Sequence, residues 1–124
     1  MTIVTKNWFA YSRLLLLGLF LSACTGNGNS GLSETQSQQL QPSDPEISAI
    51  YDRSCRSCHT LASTGSPLTG DVSAWKPRLD KGMDQLLDSV IDGFGGMPPM
   101  GLCMDCDADQ FEALIDFMVT PPSS

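Results

Sequence analysis

The chain has 124 residues, a formal charge of −7 at neutral pH, five cysteines and one histidine. That length accommodates one modest domain, and the acidic balance argues against nucleic acid as a ligand. The same charge disfavours direct contact of the domain with an anionic membrane; it suits a positively charged partner, or simply keeps a small exported protein soluble.

The N-terminus has the layout of an export signal. Lys6 and Arg13 make a positive start, Leu14 to Phe20 form an apolar stretch too short to span a bilayer permanently, and Leu21-Ser22-Ala23-Cys24 follows. Leu-Ser-Ala-Cys resembles a bacterial lipobox. The resemblance implies cleavage before Cys24, then a diacylglycerol thioether and an N-acyl chain on that cysteine. More than one acyl chain is what stable anchoring requires. The alternative is an ordinary signal peptide with an incidental cysteine near its cut site. Losing residues 1–23 removes Lys6 and Arg13 and no acidic residue, which moves the formal balance from −7 to −9.

The expected boundaries are a signal peptide over 1–23, a lipidated Cys24 with a flexible linker over 24–43, a domain over 44–121 and a tail over 122–124. The linker is expected to be flexible because Thr25 to Ser43 is rich in Gly, Ser, Asn and Gln, with Leu32 and Leu40 its only large apolar residues. The protein is then expected on the periplasmic side of a bacterial membrane, held by lipid. About 80 residues make a marginal core without help.

Three main helices are legible, and no alternating strand pattern is. The first opens at Asp44-Pro45, a good N-cap and N1 pair, and carries Ile47, Ile50, Tyr51, Cys55 and Cys58 towards His59. A short helical turn is expected around Val72 to Trp75. The second main helix begins near Gly82, presents Met83, Leu86, Leu87, Val90 and Ile91 on one face, and stops at Gly93. The third starts at Asp107 or Asp109, shows Phe111, Leu114, Ile115 and Met118, and ends before Pro121-Pro122.

The first helix ends in Cys55-Arg56-Ser57-Cys58-His59. Two thiols one helical turn apart can reach the two vinyl groups of one haem, and an imidazole four residues after the first can reach its iron. This is the attachment pattern of c-type haem, and it implies one covalently held haem c around which so small a chain can pack. A bare C-x-x-C also serves as a redox dithiol or as half of a zinc site. No βαβ context supports the dithiol. His59 is the only histidine, so zinc would need Cys103 and Cys106 as well, and that alternative stays open.

A second ligand is expected in Gly93-Phe94-Gly95-Gly96-Met97-Pro98-Pro99-Met100. Pro98 biases Met97 to an extended conformation, neither proline has an N–H to satisfy, and the glycines allow close backbone approach. Met97 is the favoured sulfur, Met100 its main competitor and Met104 a remote one; the plain alternative is a gap-filling methionine. With Cys24 assigned to lipid and Cys55 and Cys58 to haem, Cys103 and Cys106 remain as a pair. Export permits a disulfide between them, a local clamp with a small closed loop, with free thiols as the alternative.

An N-terminal helix, C-x-x-C-H, a loop, a helix, Met-Pro-Pro and a final helix together resemble a class I c-type cytochrome. Gly70-Asp71…Ala74-Trp75, Lys81-Gly82-Met83, Gly96-Met97-Pro98-Pro99, Cys103-x-x-Cys106 and Asp116-Phe117-Met118 resemble the cytochrome c5 subfamily, over about residues 45–119. The resemblance implies an all-α fold, three main helices plus loops wrapped around the haem. It implies thioethers at Cys55 and Cys58, with His59 and Met97 as axial ligands. It also implies that the Pro67 carbonyl accepts the other ring N–H of His59, and that Trp75 packs near the propionates. Tyr51 and Phe117 are expected to meet where the first and last helices cross, and Met118 to lie against the haem.

A His/Met pair closes the iron to substrates and raises its potential. The expected function is therefore single-electron carriage between exported or membrane-bound redox proteins, a donor and an acceptor, through an exposed haem edge. Two alternatives follow from the same residues. One is an enzyme or gas sensor with an open sixth position, and the other a fixed relay subunit of a larger complex.

Overall fold

The computed structural model describes residues 31–122. The signal peptide, the lipobox with Cys24 and the linker up to residue 30 lie outside the described residues. Six helices and three shorter helical turns follow one another without a named strand among those residues. The helices are α1 (Glu34–Gln38), α2 (Pro45–Ile50), α3 (Arg56–His59), α4 (Val72–Leu79), α5 (Met83–Asp92) and α6 (Ala108–Val119). No helix among the described residues is long and apolar enough to cross a membrane.

The first main helix is α2 and α3 joined by a π-helical turn over Tyr51–Cys55. Asp44 caps it as the sequence implies, its carboxylate accepting the N–H groups of Glu46 and Ile47 at 2.9 and 3.0 Å. The π turn widens the helix where the Cys55–His59 run begins, so the two cysteines diverge. Cys55 packs against the core, whereas Cys58 is exposed. Such turns interrupt helices most often at functional sites.

The helix α4 is longer than the expected turn at Val72–Trp75, and it passes through Pro77. Proline removes one backbone hydrogen bond here. The Asp71 cap, the Arg78 bond to the Ala74 carbonyl (2.6 Å) and the Lys76–Asp80 ion pair (2.8 Å) hold the helix on either side of it. Helices α5 and α6 match their expected spans, and α6 starts from a reciprocal cap between Asp107 and Gln110.

Ile50, Tyr51, Trp75, Phe111, Leu114 and Met118 form the core together with Cys103 and Cys106. Tyr51 and Phe117 meet edge to face at the crossing of α2 and α6, with ring centroids 5.0 Å apart. Met118, expected against the haem, instead lies in this core, and Ile115 is the α6 side chain on the cavity described below. The reason is rotational: residues three apart on a helix differ by about 60° in direction, so one faces the core and the other turns aside.

The flexible linker expected over 24–43 is corrected for residues 31–43. Ser33 caps α1 through a reciprocal bond pair with Gln36, and α1 lies on the haem-attachment segment. Ser37 is fully buried and donates to the His59 carbonyl at 3.3 Å. Glu34 accepts the Ala62 N–H, and Arg56 donates to the Gln38 and Leu40 carbonyls and to the Gln41 side chain. These polar contacts offset the ordering cost that so little apolar surface cannot. Leu32 and Leu40 close over Gly70, where a Cβ would stand 3.0 and 2.6 Å from them.

Gly70 therefore has two reasons to be glycine, the contact with Leu40 and a φ of +84°. Gly70→Ala is expected to displace the 31–41 strap and to lower unfolding stability by about 1–3 kcal/mol. Chemical denaturation and limited proteolysis check this. A strap as protease-resistant as in the wild type would show that the leucines do not depend on Gly70.

Candidate haem site

A cavity of about 480 Å³ opens between α4, α5 and the Met97 turn. That volume is within the range of sites that bury small organic ligands. Trp75, Leu86, Val90, Met97 and Ile115 give it an apolar lining; Cys58, Pro67, Arg78 and Lys81 also line it.

His59 stands behind this wall, 7 % exposed, with its ring stacked on that of Trp75 at 5.7 Å and 20°. Its Nδ1–H donates to the Pro67 carbonyl at 2.9 Å, which leaves the Nε2 lone pair available to a metal. Burial holds the His59 pKa below the usual histidine value; the Pro67 bond opposes that shift and the Arg78 charge adds to it. The neutral imidazole is the ligating form. The Thr69 N–H and the Ser37 hydroxyl both donate to the His59 carbonyl, so the backbone is held as well as the ring.

Burial pushes the Cys55 thiol up to about 11, so the sulfur stays protonated. Thioether formation adds S–H across a vinyl group, and this donor pair suits it. Trp75 is buried, and its indole N–H donates to the Leu68 carbonyl at 2.9 Å. It packs on the face of His59 and lines the cavity, a position that combines the core role with the cofactor role.

Met97 sits at the end of a tight turn. Phe94 and Met97 exchange backbone hydrogen bonds at 3.1 and 3.0 Å across Gly95-Gly96, and Gly95 takes the left-handed φ of 60° that such a turn requires. Gly93 ends α5 with φ 83°, and a Cβ there would stand 2.9 Å from the Met97 carbonyl and 3.0 Å from Pro99 N. The three candidate sulfurs separate clearly. Met97 lines the cavity, Met100 packs against the core with a left-handed φ of 57°, and Met104 is 75 % exposed.

Cys103 and Cys106 are joined as a disulfide, with Cα atoms 5.4 Å apart. Arg53 lies over it, bidentate to Asp105 at 2.9 Å and 3.1 Å from the Cys103 sulfur. The clamp ties the π turn to the chain just after Met100. With these sulfurs bonded to each other, the four-thiolate zinc site has lost half its ligands.

The cavity residues Arg78, Lys81, Gln85 and Ser89 were not singled out from sequence. Their spacing, three residues and four residues apart, was the available signal.

Comparisons with known proteins agree with this site. A family model described as cytochrome c oxidase, cbb3-type, subunit III matches residues 42–118. Cytochrome c5 of Ectopseudomonas mendocina is 39% identical over 71 residues, 56% of this chain and 82% of that protein. Cytochrome c5 of Azotobacter vinelandii is 41% identical over 71 residues, 56% of this chain and 86% of that protein. The chain belongs to the class I c-type cytochromes, in the c5-like subfamily.

The solved structures agree. A mono-haem ferrocytochrome c from Shewanella putrefaciens is 39% identical at a TM-score of 0.55, covering 61% of this cytochrome and 94% of that chain. A cytochrome chain from an electron transfer complex of nitrite reductase with cytochrome c is 36% identical at 0.55, covering 65% and 95%. The cytochrome is thus an all-α electron carrier that holds one covalent haem c. The strap at 33–41 lies before the family match begins at residue 42, so it is an addition to the shared domain.

Replacing both Cys103 and Cys106 by Ser is expected to cost about 2 kcal/mol, the chain-entropy value for so short a loop. Haem is expected to stay attached. Denaturant titration with in-gel haem staining checks both, and metal analysis showing zinc lost from the variant would revive the metal-site alternative.

Proposed function

We propose that this cytochrome carries single electrons from the periplasmic side of a bacterial membrane, anchored by lipid at Cys24. His59 and Met97 are its two axial ligands, and Cys55 and Cys58 its thioether donors. The observation that carries the ligand set is that Met97, alone of the three candidate methionines, lines the same cavity as Cys58 and Pro67.

The bound haem supplies one-electron exchange at its iron. The chain supplies the conditions for it. Pro67 holds the proton on Nδ1 of His59 so that Nε2 points its lone pair at the metal. Gly93 and Gly95 bring the Met97 turn close without strain. A thioether opposite an imidazole favours the ferrous state and leaves no coordination position for a substrate. Leu86, Val90 and Ile115 exclude water from the same space, and a low dielectric also disfavours the extra charge of the ferric state.

The partners are redox proteins, a donor and an acceptor. The acidic surface suits a positively charged docking face, and an exported reductase is a fitting class of acceptor, since a structural relative forms an electron transfer complex with nitrite reductase.

Ferric and ferrous absorption spectra with and without CO test the ligand set. A low-spin c-type spectrum, a ferric Met–iron charge-transfer band and no response to CO are expected. Met97→Ala is expected to become high-spin, to bind CO and to have a lowered potential. Unchanged low-spin ferric iron in that variant would move the ligand to Met100 or elsewhere. A wild type that responds to CO would favour an enzyme or sensor.

The anchor has its own test. Cys24→Ser is expected to release the protein from membranes on fractionation, and persistent membrane attachment would overturn the lipid reading.

A further inference from the structure

We infer that Arg78 and Lys81 hold the two carboxylates of the haem. The inference rests on the haem occupying the cavity between α4, α5 and the Met97 turn.

The first observation is a charge pattern. The chain carries 14 acidic residues, yet no aspartate or glutamate lines the cavity. Two cations do, Arg78 and Lys81. An acidic protein that clears every carboxylate from one lining and leaves two positive groups there matches a ligand that brings two negative charges of its own.

The second observation is the pairing of the cations. Among the described residues, Arg53 is paired with Asp105 at 2.9 Å, Arg56 with Asp52 at 3.0 Å and Lys76 with Asp80 at 2.8 Å. Arg78 and Lys81 have no carboxylate partner among the described residues. Lys76 and Asp80 show that acids were available on this very helix, and they pair with each other instead.

The chemistry of the haem completes the match. Its periphery carries two propionates on the side of the ring away from the vinyl groups, and the vinyl side is fixed by the attachment cysteines. A carboxylate entering a lining made largely of apolar side chains is costly unless it is paired. Arg78 gives one donor to the Ala74 carbonyl, which steadies the guanidinium and leaves further N–H donors for a carboxylate. Lys81 is exposed and reaches from the turn after α4, where its N–H bonds the Arg78 carbonyl at 3.1 Å. That places one cation within the wall and the other at the mouth.

Both contacts act on the iron with the same sign. A positive charge near the haem opposes the ferric state, and a neutralised propionate stabilises ferric iron less than a free one. Removing either cation favours ferric iron.

The test uses the full-length, matured protein in four variants, Arg78→Gln, Arg78→Lys, Lys81→Gln and Lys76→Gln. Lys76 is the control, since it is exposed on the same helix and is not a lining residue. Redox titration gives the potential, and resonance Raman propionate bending bands report hydrogen bonding to the carboxylates. Arg78→Gln and Lys81→Gln are each expected to shift the reduction equilibrium about three- to tenfold towards ferric, tenfold being about 59 mV for one electron. The bending bands are expected to move in both. Arg78→Lys is expected to keep the potential nearer the wild-type value than Arg78→Gln does, and Lys76→Gln to leave bands and potential alone. Unmoved bands in both glutamine variants overturn the inference even if the potential shifts, because charge without contact accounts for that result. In-gel haem staining of the wild type tests the premise separately; a wild type without covalent haem removes the ligand itself.

Discussion

The hydrogen bond from His59 to the Pro67 carbonyl is the contact around which the rest of the molecule is arranged. It determines which imidazole nitrogen is left for a metal, and the chain uses the four residues from Pro67 to Gly70 to make it secure. The Leu68 carbonyl takes the indole N–H of Trp75, and the Thr69 N–H returns to the His59 carbonyl at 2.7 Å. The Thr69 hydroxyl accepts from Tyr51 at 3.0 Å, and the Gly70 N–H donates to the Met118 carbonyl at 2.7 Å. One short loop thus joins the attachment helix, α4 and α6. A buried network satisfied at every member is rigid, and rigidity is what an electron-transfer ligand needs.

The other half of the site is held by backbone shape instead of side-chain bonds. Gly93 and Gly95 adopt left-handed φ values, Pro98 is extended, and the turn from Phe94 to Met97 closes on itself. Met100 and Leu102 also take left-handed φ, an uncommon state for residues with a Cβ. The disulfide and Arg53 grip the chain immediately beyond these residues, where the surrounding structure must hold the unfavourable angles in place.

Much of this was legible in the sequence because it is local. Apolar spacing gave α5 and α6, and Asp44, Gly93 and Asp107 marked helix ends through bonds to neighbouring residues. The strap was not legible, because its stability comes from distant groups. Arg56, Ala62 and the His59 carbonyl lie 15 or more residues away from the strap atoms they bond. A polar segment with two leucines looks unable to order itself, and alone it is. The span of α4 was missed for a related reason. Pro77 looks like a stop, yet Trp75 is buried in the core and holds the helix down on that side.

The sequence by itself determined the cofactor chemistry. Two thiols at fixed spacing, one histidine directly after them and a methionine before two prolines are covalent facts, and they limit the site to a covalent haem with few candidate ligands. Only the tertiary structure decided among those candidates and found what surrounds them. It separated Met97 from Met100 and Met104, set Trp75 against His59, and turned Arg78 and Lys81 into one acid-free lining. Bonding capacity belongs to residue types and short spacings. Burial, and the company a charge keeps, depend on where remote segments of chain come to rest.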